Sequence, residues 1–317
     1  MKSIKIFFIA VLLAASLTSC LKDDSNLLDP EKTQNVLEFA NSANLTSPTT
    51  SKYPLLTINV VMDAPGIHNA IVRYSGAHDA AQEITVEVDV ADPAVFSTYK
   101  SQVSAASSYV LIPSNLFTLP NKTVVIPKGK REVILPIQFP NPDQLYGKNY
   151  VLALTIKSGS TGIISGNFGT MLYLINGINR FDGVYTLKYR FGPNDRNYDV
   201  NTTTWYFSDV NIFTTGTTTA TLRNLNVSSP YPHPATTGGL PTSITGFTPQ
   251  FTFELTTNKI TNITNSVSGT KTAVPNPAVT DNRFDPATKT VYASFILKES
   301  GKADMIINDT LIYRSPR

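Results

Sequence analysis

The segment EITVEVD, residues 83–89, decides the fold class because polar and apolar residues alternate along it without interruption. Successive side chains of an extended strand point to opposite faces, so Ile84, Val86 and Val88 would share a buried face while the acids face water. Similar segments, rich in β-branched and aromatic residues, recur after it and are cut by Pro, Gly and Asn. We therefore predict an all-β protein.

The region around this segment has the pattern of an Ig-like β-sandwich over residues 35–176. Segments 150–156 and 170–175 predict two further strands, and segments 122–126 and 131–139 predict a hairpin around the turn at 127–130. Helical periodicity is scarce. Residues 92–100 form one short helix candidate, with Asp92 as N-cap and Pro93 in the first position.

A second domain is predicted for residues 177–317, after a turn at 176–179. Segment 181–191 places Tyr185, Leu187, Tyr189 and Phe191 on one face. Further strands are predicted at 203–210, 218–225, 250–255, 259–267, 290–297 and 303–313. This spacing favours a second antiparallel β-sandwich or a small barrel. Residues 228–249, rich in Pro, Gly and Thr, are predicted to form a long exposed loop.

The N-terminus contains Cys20, the one cysteine of the chain, at the end of the tetrad LTSC. Two lysines, Lys2 and Lys5, precede an apolar run at 6–15 that is shorter than the about 20 residues needed to span a bilayer. The tetrad resembles the lipobox of bacterial lipoproteins. The resemblance implies a signal peptide at 1–19, acylation of Cys20 with fatty acids such as palmitate, and a linker at 20–34. An ordinary secretory peptide with a chance cysteine is the alternative.

The residues behind Cys20 refine the predicted location. LKDD, residues 21–24, resembles the signal that directs Bacteroidetes lipoproteins to the outer leaflet of the outer membrane. It implies a lipid-anchored protein on the extracellular side. The same residues also suit a solvated start of a linker.

Charge and cysteine content exclude several classes of function. The chain has 26 Lys+Arg against 23 Asp+Glu, and two of the lysines lie in the predicted signal peptide. This near balance gives no reason to expect a nucleic acid partner. If Cys20 is lipidated, no thiol remains for disulfides, thiolate metal sites or cysteine nucleophiles.

Residues 35–176 resemble a Bacteroidetes domain of unknown function, through the strand spacing and the segments YVLIP at 109–113 and IPKG at 126–129. That domain occurs in surface lipoproteins of polysaccharide-utilisation loci, often before a family-18 endoglycosidase. The resemblance implies that the chain holds glycans at the cell surface beside a TonB-dependent transporter, as SusE- and SusF-type lipoproteins do. It identifies no binding residues.

Catalytic patterns are missing. Residues 177–317 are too few for the TIM barrel of about 250 residues that a family-18 enzyme needs. None of His68, His78 and His233 has a partner at metal-ligand spacing, and we expect His68 and His78 in solvated loops. No acid lies in an obviously apolar stretch that would raise its pKa. We predict no enzyme activity, no cofactor and no metal.

Two short motifs have more than one interpretation. Residues 195–199 carry oxygen ligands at alternate positions, as a calcium loop does, but Val200 and Tyr206 replace the glycine and glutamate of an EF-hand. A looser calcium site and a plain hairpin turn both stay open. The triplet Asp309-Thr310-Leu311 resembles an O-glycosylation acceptor and equally suits a strand.

Aromatic residues of the second domain give the best indication of function, because sugar rings stack on Trp and Tyr while short polar side chains bind hydroxyls. Trp205 and Phe207 share one face of a predicted strand, and Tyr206 takes the other. The favoured interpretation turns Trp205 into the core and exposes Tyr206. The candidate glycan-binding residues are Trp205, Tyr206, Tyr198, Tyr231, Tyr189, Asp195, Arg196 and Asn197.

The leading hypothesis is a surface-anchored lipoprotein that binds extracellular polysaccharide or oligosaccharide without catalysis. One alternative is an adhesin or structural partner module with no sugar site, which would contact another protein through its sheet edges. An uncharacterised hydrolase is a third class.

Overall fold

The structure is a computed structural model that describes residues 33–40, 45, 47–63, 65–201, 203–228 and 231–317. The predicted signal peptide, Cys20 and the linker up to residue 32 lie outside the described residues. Half of the structure is strand and only 8% is helix, so the all-β prediction is confirmed. Within the described residues, no helix has both the length and the apolar character needed to cross a membrane.

The described residues of the N-terminal half form ten strands and one α-helix. These are β1 (Val36–Phe39), β2 (Leu55–Val61), β3 (Gly66–Ser75), β4 (Ile84–Val90), α1 (Pro93–Gln102), β5 (Val110–Leu111), β6 (Thr123–Ile126), β7 (Glu132–Phe139), β8 (Tyr150–Gly159), β9 (Ile163–Ile164) and β10 (Thr170–Ile178). One sheet has the order β7-β3-β1-β9. The other has the order β2-β10-β8-β4-β6, with β5 beside β8. Strand pairs β1–β9, β2–β10 and β5–β8 are parallel.

The core between these sheets follows from the alternation in the sequence. Ile84, Val86 and Val88 are fully buried in it, as predicted. Helix α1 covers the opposite face of the second sheet through Phe96 and Tyr99. The Asp92 carboxylate accepts a 2.7 Å hydrogen bond from the Ala94 N–H, which confirms the predicted N-cap.

One predicted hairpin is wrong. Strand β6 pairs with β4 in one sheet, and β7 pairs with β3 in the other. The turn between them therefore carries the chain from one sheet to the other, and in it the Gly129 N–H donates to the Ala80 carbonyl and the Lys130 N–H donates to the Pro127 carbonyl. Gly129 has a φ of 73°, the positive value expected of a turn glycine.

Eleven strands lie in the described part of the C-terminal half. These are β11 (Gly183–Phe191), β12 (Tyr206–Thr214), β13 (Thr219–Asn224), β14 (Pro234–Thr237), β15 (Leu240–Ser243), β16 (Pro249–Phe253), β17 (Ile260–Asn265), β18 (Lys271–Pro275), β19 (Arg283–Asp285), β20 (Thr290–Glu299) and β21 (Met305–Ser315). Most form one antiparallel sheet with the order β17-β16-β13-β12-β11-β21-β20-β18, with β19 beside β20.

This sheet curls into a nearly closed barrel, which decides between the two predicted architectures. Its ends meet where the Ile260 N–H donates to the Asn282 carbonyl at 2.9 Å and the Phe284 N–H donates to the Asn258 carbonyl at 2.8 Å. The aromatic face of β11 points into the barrel core, as its alternation predicted. The buried clusters change from one half to the other between Ile175 and Phe181, and the domain boundary at 176/177 stays a prediction.

The predicted exposed loop at 228–249 is wrong for most of its described residues. Strands β14 and β15 form a hairpin there, and His233, Ala235, Ile244 and Phe247 are buried in the barrel. Prolines and glycines suggested a loop, but Gly238 and Gly239 instead form a two-residue turn with φ values of 60° and 78°. Positive φ at both central residues is the requirement of a tight hairpin turn.

Candidate functional site

A cleft of about 710 Å³ opens at the side of the barrel, where β12 extends beyond its partner β13. Residues 206–209 of β12 pair with β11 on one side, while their other side faces the hairpin of β14 and β15 across the cleft. The lining combines aromatic rings with short polar side chains. It includes Tyr189, Tyr206, Phe207, Ser208, Asp209, Asn224, Asn226, Thr236, Thr242 and Ser243.

A carboxylate holds the tip of the hairpin wall. The Asp199 carboxylate accepts hydrogen bonds from the Gly238 N–H at 2.7 Å and from the Gly239 N–H at 2.8 Å. The hydroxyl of Tyr206 donates to the same carboxylate at 3.4 Å. Asp199 therefore links the hairpin turn to the strand on the opposite wall.

A buried imidazole and carboxylate hold the base of the hairpin. The two side chains of His233 and Asp309 are 0% exposed, and His233 Nε2 lies 3.0 Å from Asp309 Oδ2. His233 Nδ1 lies 2.6 Å from the Pro234 carbonyl oxygen. Because that oxygen can only accept, Nδ1 carries a hydrogen, and Nε2 faces the Asp309 carboxylate. The rings of Phe247 and Phe295 pack against His233, so the pair lies in an apolar part of the barrel core.

Two tyrosines lie at the inner end of the cleft. The ring centroids of Tyr189 and Tyr206 are 5.7 Å apart, and the rings are inclined by 34°. Burial raises the pKa of Tyr189 to about 12, and its neutral phenol can donate a hydrogen bond.

Exposed aromatic surface lies at the rim. Phe207 is 64% exposed, an unusual state for a phenylalanine in a strand. Trp205 lies on the same outer face, partly buried, with its ring 4.9 Å from Lys188 Nζ and 4.6 Å from the Arg190 guanidinium carbon. The favoured interpretation, with Trp205 in the core and Tyr206 exposed, is therefore wrong: Tyr206 packs against the barrel core. Cation–π attraction to β11 accounts for the outward position of Trp205.

The polar side chains of the cleft are of the kind that binds hydroxyl groups. The Asn226 amide donates to Ser208 Oγ at 3.4 Å, and the Asn224 side-chain oxygen accepts from the Asn226 N–H at 3.0 Å. Asp209 forms an exposed ion pair with Arg314 at 3.1 Å. Each of these groups retains hydrogen-bonding capacity for a ligand.

The loop at 195–198 does not join the cleft. Asp195 accepts from the Ala303 N–H at 3.1 Å, and this bond lowers its pKa. The Arg196 side chain is 5% exposed and donates to Glu299 at 3.2 Å. Asn197 lies exposed with a φ of 60°, while Tyr198 packs on the Phe191 ring at 5.9 Å. No group of three or more His, Cys, Asp or Glu in the described part of the chain could hold a metal ion.

The structure thus brings together only part of the predicted site. Tyr189 and Tyr206 line the cleft and Trp205 lies beside its rim, whereas Tyr231 lies in a separate groove. The prediction of solvated loops holds for His78 and is wrong for His68, which lies in β3 with its pKa lowered to about 4 by burial.

Sequence reasoning missed the hairpin wall, Asp209, Asn224, Asn226 and the pair His233–Asp309. The hairpin could have been found, because Gly238-Gly239 separates two short β-type segments. Phe207 could also have been found, since it shares the face of Trp205. The pairing of His233 with Asp309 joins residues 76 positions apart and has no local signal.

Comparisons with known proteins add a partial family match. Residues 39–163, less than half of the chain, match a family model described as a "-like, N-terminal domain". No curated protein matches the chain significantly.

Several similar solved structures come from Bacteroides. A structural-genomics protein of unknown function from Bacteroides ovatus has a TM-score of 0.48 and 14% identity over 89% of this chain and 95% of that one. An auxiliary nutrient binding protein from Bacteroides thetaiotaomicron has a TM-score of 0.40 and 14% identity over 86% of this chain and 94% of that one. At these TM-scores neither structure carries an inference about a ligand of this chain.

Proposed function

We propose that the chain is a glycan-binding protein that acts without catalysis, and that the cleft between β12 and the β14–β15 hairpin is its binding site. The observation that carries the proposal is the exposed ring of Phe207 at the rim of a cleft lined by hydroxyl, amide and carboxylate groups. A sugar ring has an apolar C–H face and polar edges. The aromatic ring at the rim can stack on the C–H face, and the side chains of Ser208, Asp209 and Asn226 can form hydrogen bonds with the hydroxyls.

The chemistry of the cleft supports binding over hydrolysis. Glycoside hydrolysis generally needs two carboxyl groups separated by about 5 to 9.5 Å. Among the described residues that line the cleft, Asp209 is the one carboxylate, and it is paired with Arg314. Asp199 lies behind the hairpin turn, where two backbone N–H groups occupy its oxygens.

The proposed location follows from the sequence motifs. Acylated Cys20 anchors the chain in the outer membrane, with residues 33–317 on the extracellular side, where the glycan is handed to a TonB-dependent transporter. Membrane fractionation of cells that express the chain tests the anchor. Cys20→Ser releases the protein from the membrane fraction if Cys20 is the anchor and leaves it membrane-bound if another segment is. Digestion by protease added to intact cells tests the extracellular orientation.

Calorimetry of the chain from Leu21 against plant, fungal and host glycans tests binding. We expect one glycan class to bind, and Phe207→Ala to weaken it about tenfold, or about 1.4 kcal/mol. Ile312→Ala is the matched control, because Ile312 is 41% exposed on the same outer face but lies outside the cleft. Binding that survives Phe207→Ala would reject the cleft. A failure of every glycan in the panel would reject the function and favour a protein partner.

A further inference from the structure

A second groove, of about 370 Å³, lies beside Arg223 on β13. Neighbouring residues of a strand point to opposite faces, so Arg223 faces away from Asn224, which lines the cleft. The polar groups of the groove come from Arg223, Gln250, Tyr231 and the hydroxyls of Thr215, Thr221 and Ser266.

Arg223 belongs to a cluster of planar groups on the outer surface of the barrel. Its guanidinium carbon lies 3.7 Å from the Phe213 ring centroid and 5.3 Å from the Tyr231 centroid. The Arg317 guanidinium carbon lies 3.9 Å from the same Phe213 ring. The contacts with these rings restrict the Arg223 guanidinium, and its N–H groups form no hydrogen bond with another described residue.

The two arginines differ in their charge partners. Arg317 donates to the buried Asp182 carboxylate at 3.0 Å. Arg223 has no carboxylate within ion-pair distance among residues 33–40, 45, 47–63, 65–201, 203–228 and 231–317. The charge of Arg223 is therefore the uncompensated one of the two, and it favours the arrival of an anion.

The backbone of Tyr231, whose ring contacts Arg223, has a conformation that costs free energy. Tyr231 has a φ of 56°, a left-handed conformation that is uncommon for an aromatic residue. Its carbonyl accepts a 3.3 Å hydrogen bond from the Thr248 hydroxyl, which fixes the strained residue to the loop that precedes β16. Strained residues of this kind gather at ligand sites.

The geometry points to an oxyanion site in this groove, in which Arg223 binds the carboxylate of a uronic acid or the sulfate ester of a saccharide, with Tyr231 against the sugar ring. An oriented guanidinium forms two parallel hydrogen bonds with either group. Gln250 and the hydroxyls of Thr215 and Thr221 lie around it for the remaining oxygens of the sugar. The site does not depend on the cleft, with which it shares no lining residue.

The test uses the chain from Leu21 and follows the side-chain Nε–H signals of arginine by NMR, with the Arg223 signal assigned from its loss in Arg223→Lys. Glucuronate, glucose 6-sulfate and glucose are added in parallel at constant ionic strength. We expect a saturable shift of the Arg223 signal with at least one charged sugar and none with glucose. A shift with glucuronate identifies the ligand as a uronic acid, and a shift with glucose 6-sulfate identifies it as a sulfated saccharide.

Variants separate the groove from the cleft. Calorimetry on Arg223→Lys is expected to show at least a tenfold loss of affinity for the charged sugar, because lysine keeps the charge and loses the two-pronged geometry. Phe207→Ala keeps that affinity. Any of three results would overturn the site. The Arg223 signal could shift equally with sodium chloride alone, it could shift with neither charged sugar, or Arg223→Lys could bind the charged sugar with unchanged affinity. Binding of a charged sugar at Arg223 in a chain whose cleft binds no glycan would support the groove and reject the cleft.

Discussion

In the N-terminal sandwich the buried side chains are almost wholly apolar, whereas the barrel buries amides, hydroxyls, carboxylates and an imidazole. Among the described residues that are polar and buried as a whole, Asn35 is the one that precedes residue 177, while the Asp63 carboxylate and the His68 imidazole are largely buried in partly exposed residues. In the barrel, Asp182 bonds Thr214 at 2.8 Å and His233 bonds Asp309 at 3.0 Å. Because an unpaired buried polar group is costly, such pairs specify one geometry. The sandwich is therefore held by packing, and the walls of the cleft by hydrogen bonds.

The largest expected effect comes from breaking the buried pair of the barrel. Asp309→Ala leaves the His233 ring without its acceptor in apolar surroundings. Leaving a buried polar group without its hydrogen-bond partner costs about 1–3 kcal/mol, and more where the group is charged. Chemical denaturation measures this as a lower midpoint, and the hairpin of β14 and β15 should lose hydrogen-exchange protection first.

Asp304→Ala is the control for this variant, because Asp304 precedes the same strand and its side chain is 54% exposed in a surface pair with Lys298. We expect a change below about 1 kcal/mol. In the sandwich, Leu154→Ala should match the Asp309 variant with about 2–5 kcal/mol through the cavity it leaves. An Asp309→Ala variant as stable as Asp304→Ala would remove the distinction between the two halves.

The next largest effect is a pH dependence of the free energy of unfolding, which arises from a histidine of the sandwich. Burial lowers the pKa of His68 from 6.5 to about 4. Between these pH values the unfolded chain binds a proton that the folded chain does not, so stability is lost as pH falls through 6.5 towards 4 and is complete above 6.5. The loss amounts to about 3 kcal/mol at most.

Unfolding free energies at pH 7.5 and pH 4.5 test this sign. His68→Gln should flatten the difference between the two values, while His78→Gln, in an exposed loop, should keep it. An equal pH dependence in the wild-type chain and in His68→Gln would show that the effect lies elsewhere.

A smaller effect is expected at the tip of the hairpin wall. Asp199→Ala removes the acceptor of the Gly238 and Gly239 N–H groups. We expect a loss of about 1–2 kcal/mol, together with faster hydrogen exchange at these two amides. Asp199→Asn keeps one acceptor oxygen and should cost less. If both variants are as stable as the wild-type chain, the hairpin does not need this carboxylate.

Local patterns in the sequence predicted the strands well because alternation reports burial directly. Alternation in segments 83–89 and 181–191 correctly predicted the buried face of each strand, and Asp92 correctly predicted the start of α1. The hairpin at 122–139 failed because a turn signal does not say whether the chain stays in one sheet or crosses to the next. That choice depends on pairing with β3 and β4, which are distant in sequence.

The cleft was harder to predict because its walls come from three separate parts of the chain. Tyr189, Tyr206 and the hairpin meet only when the barrel curls. The orientation of Trp205 depended on Lys188 and Arg190 of a neighbouring strand, a contact that no local pattern contains. The two-residue period of a strand predicts that Trp205 and Phe207 share a face, but it does not predict which face is buried.

Hydrogen exchange in the presence of a saturating glycan from the binding panel tests the central claim most directly. We predict added protection at residues 206–209 and 234–243, on the two walls of the cleft, with no change in residues 47–63 and 65–178 of the sandwich. Protection confined to the sandwich, or saturation without any change at the cleft, would contradict the assignment of glycan binding to the barrel.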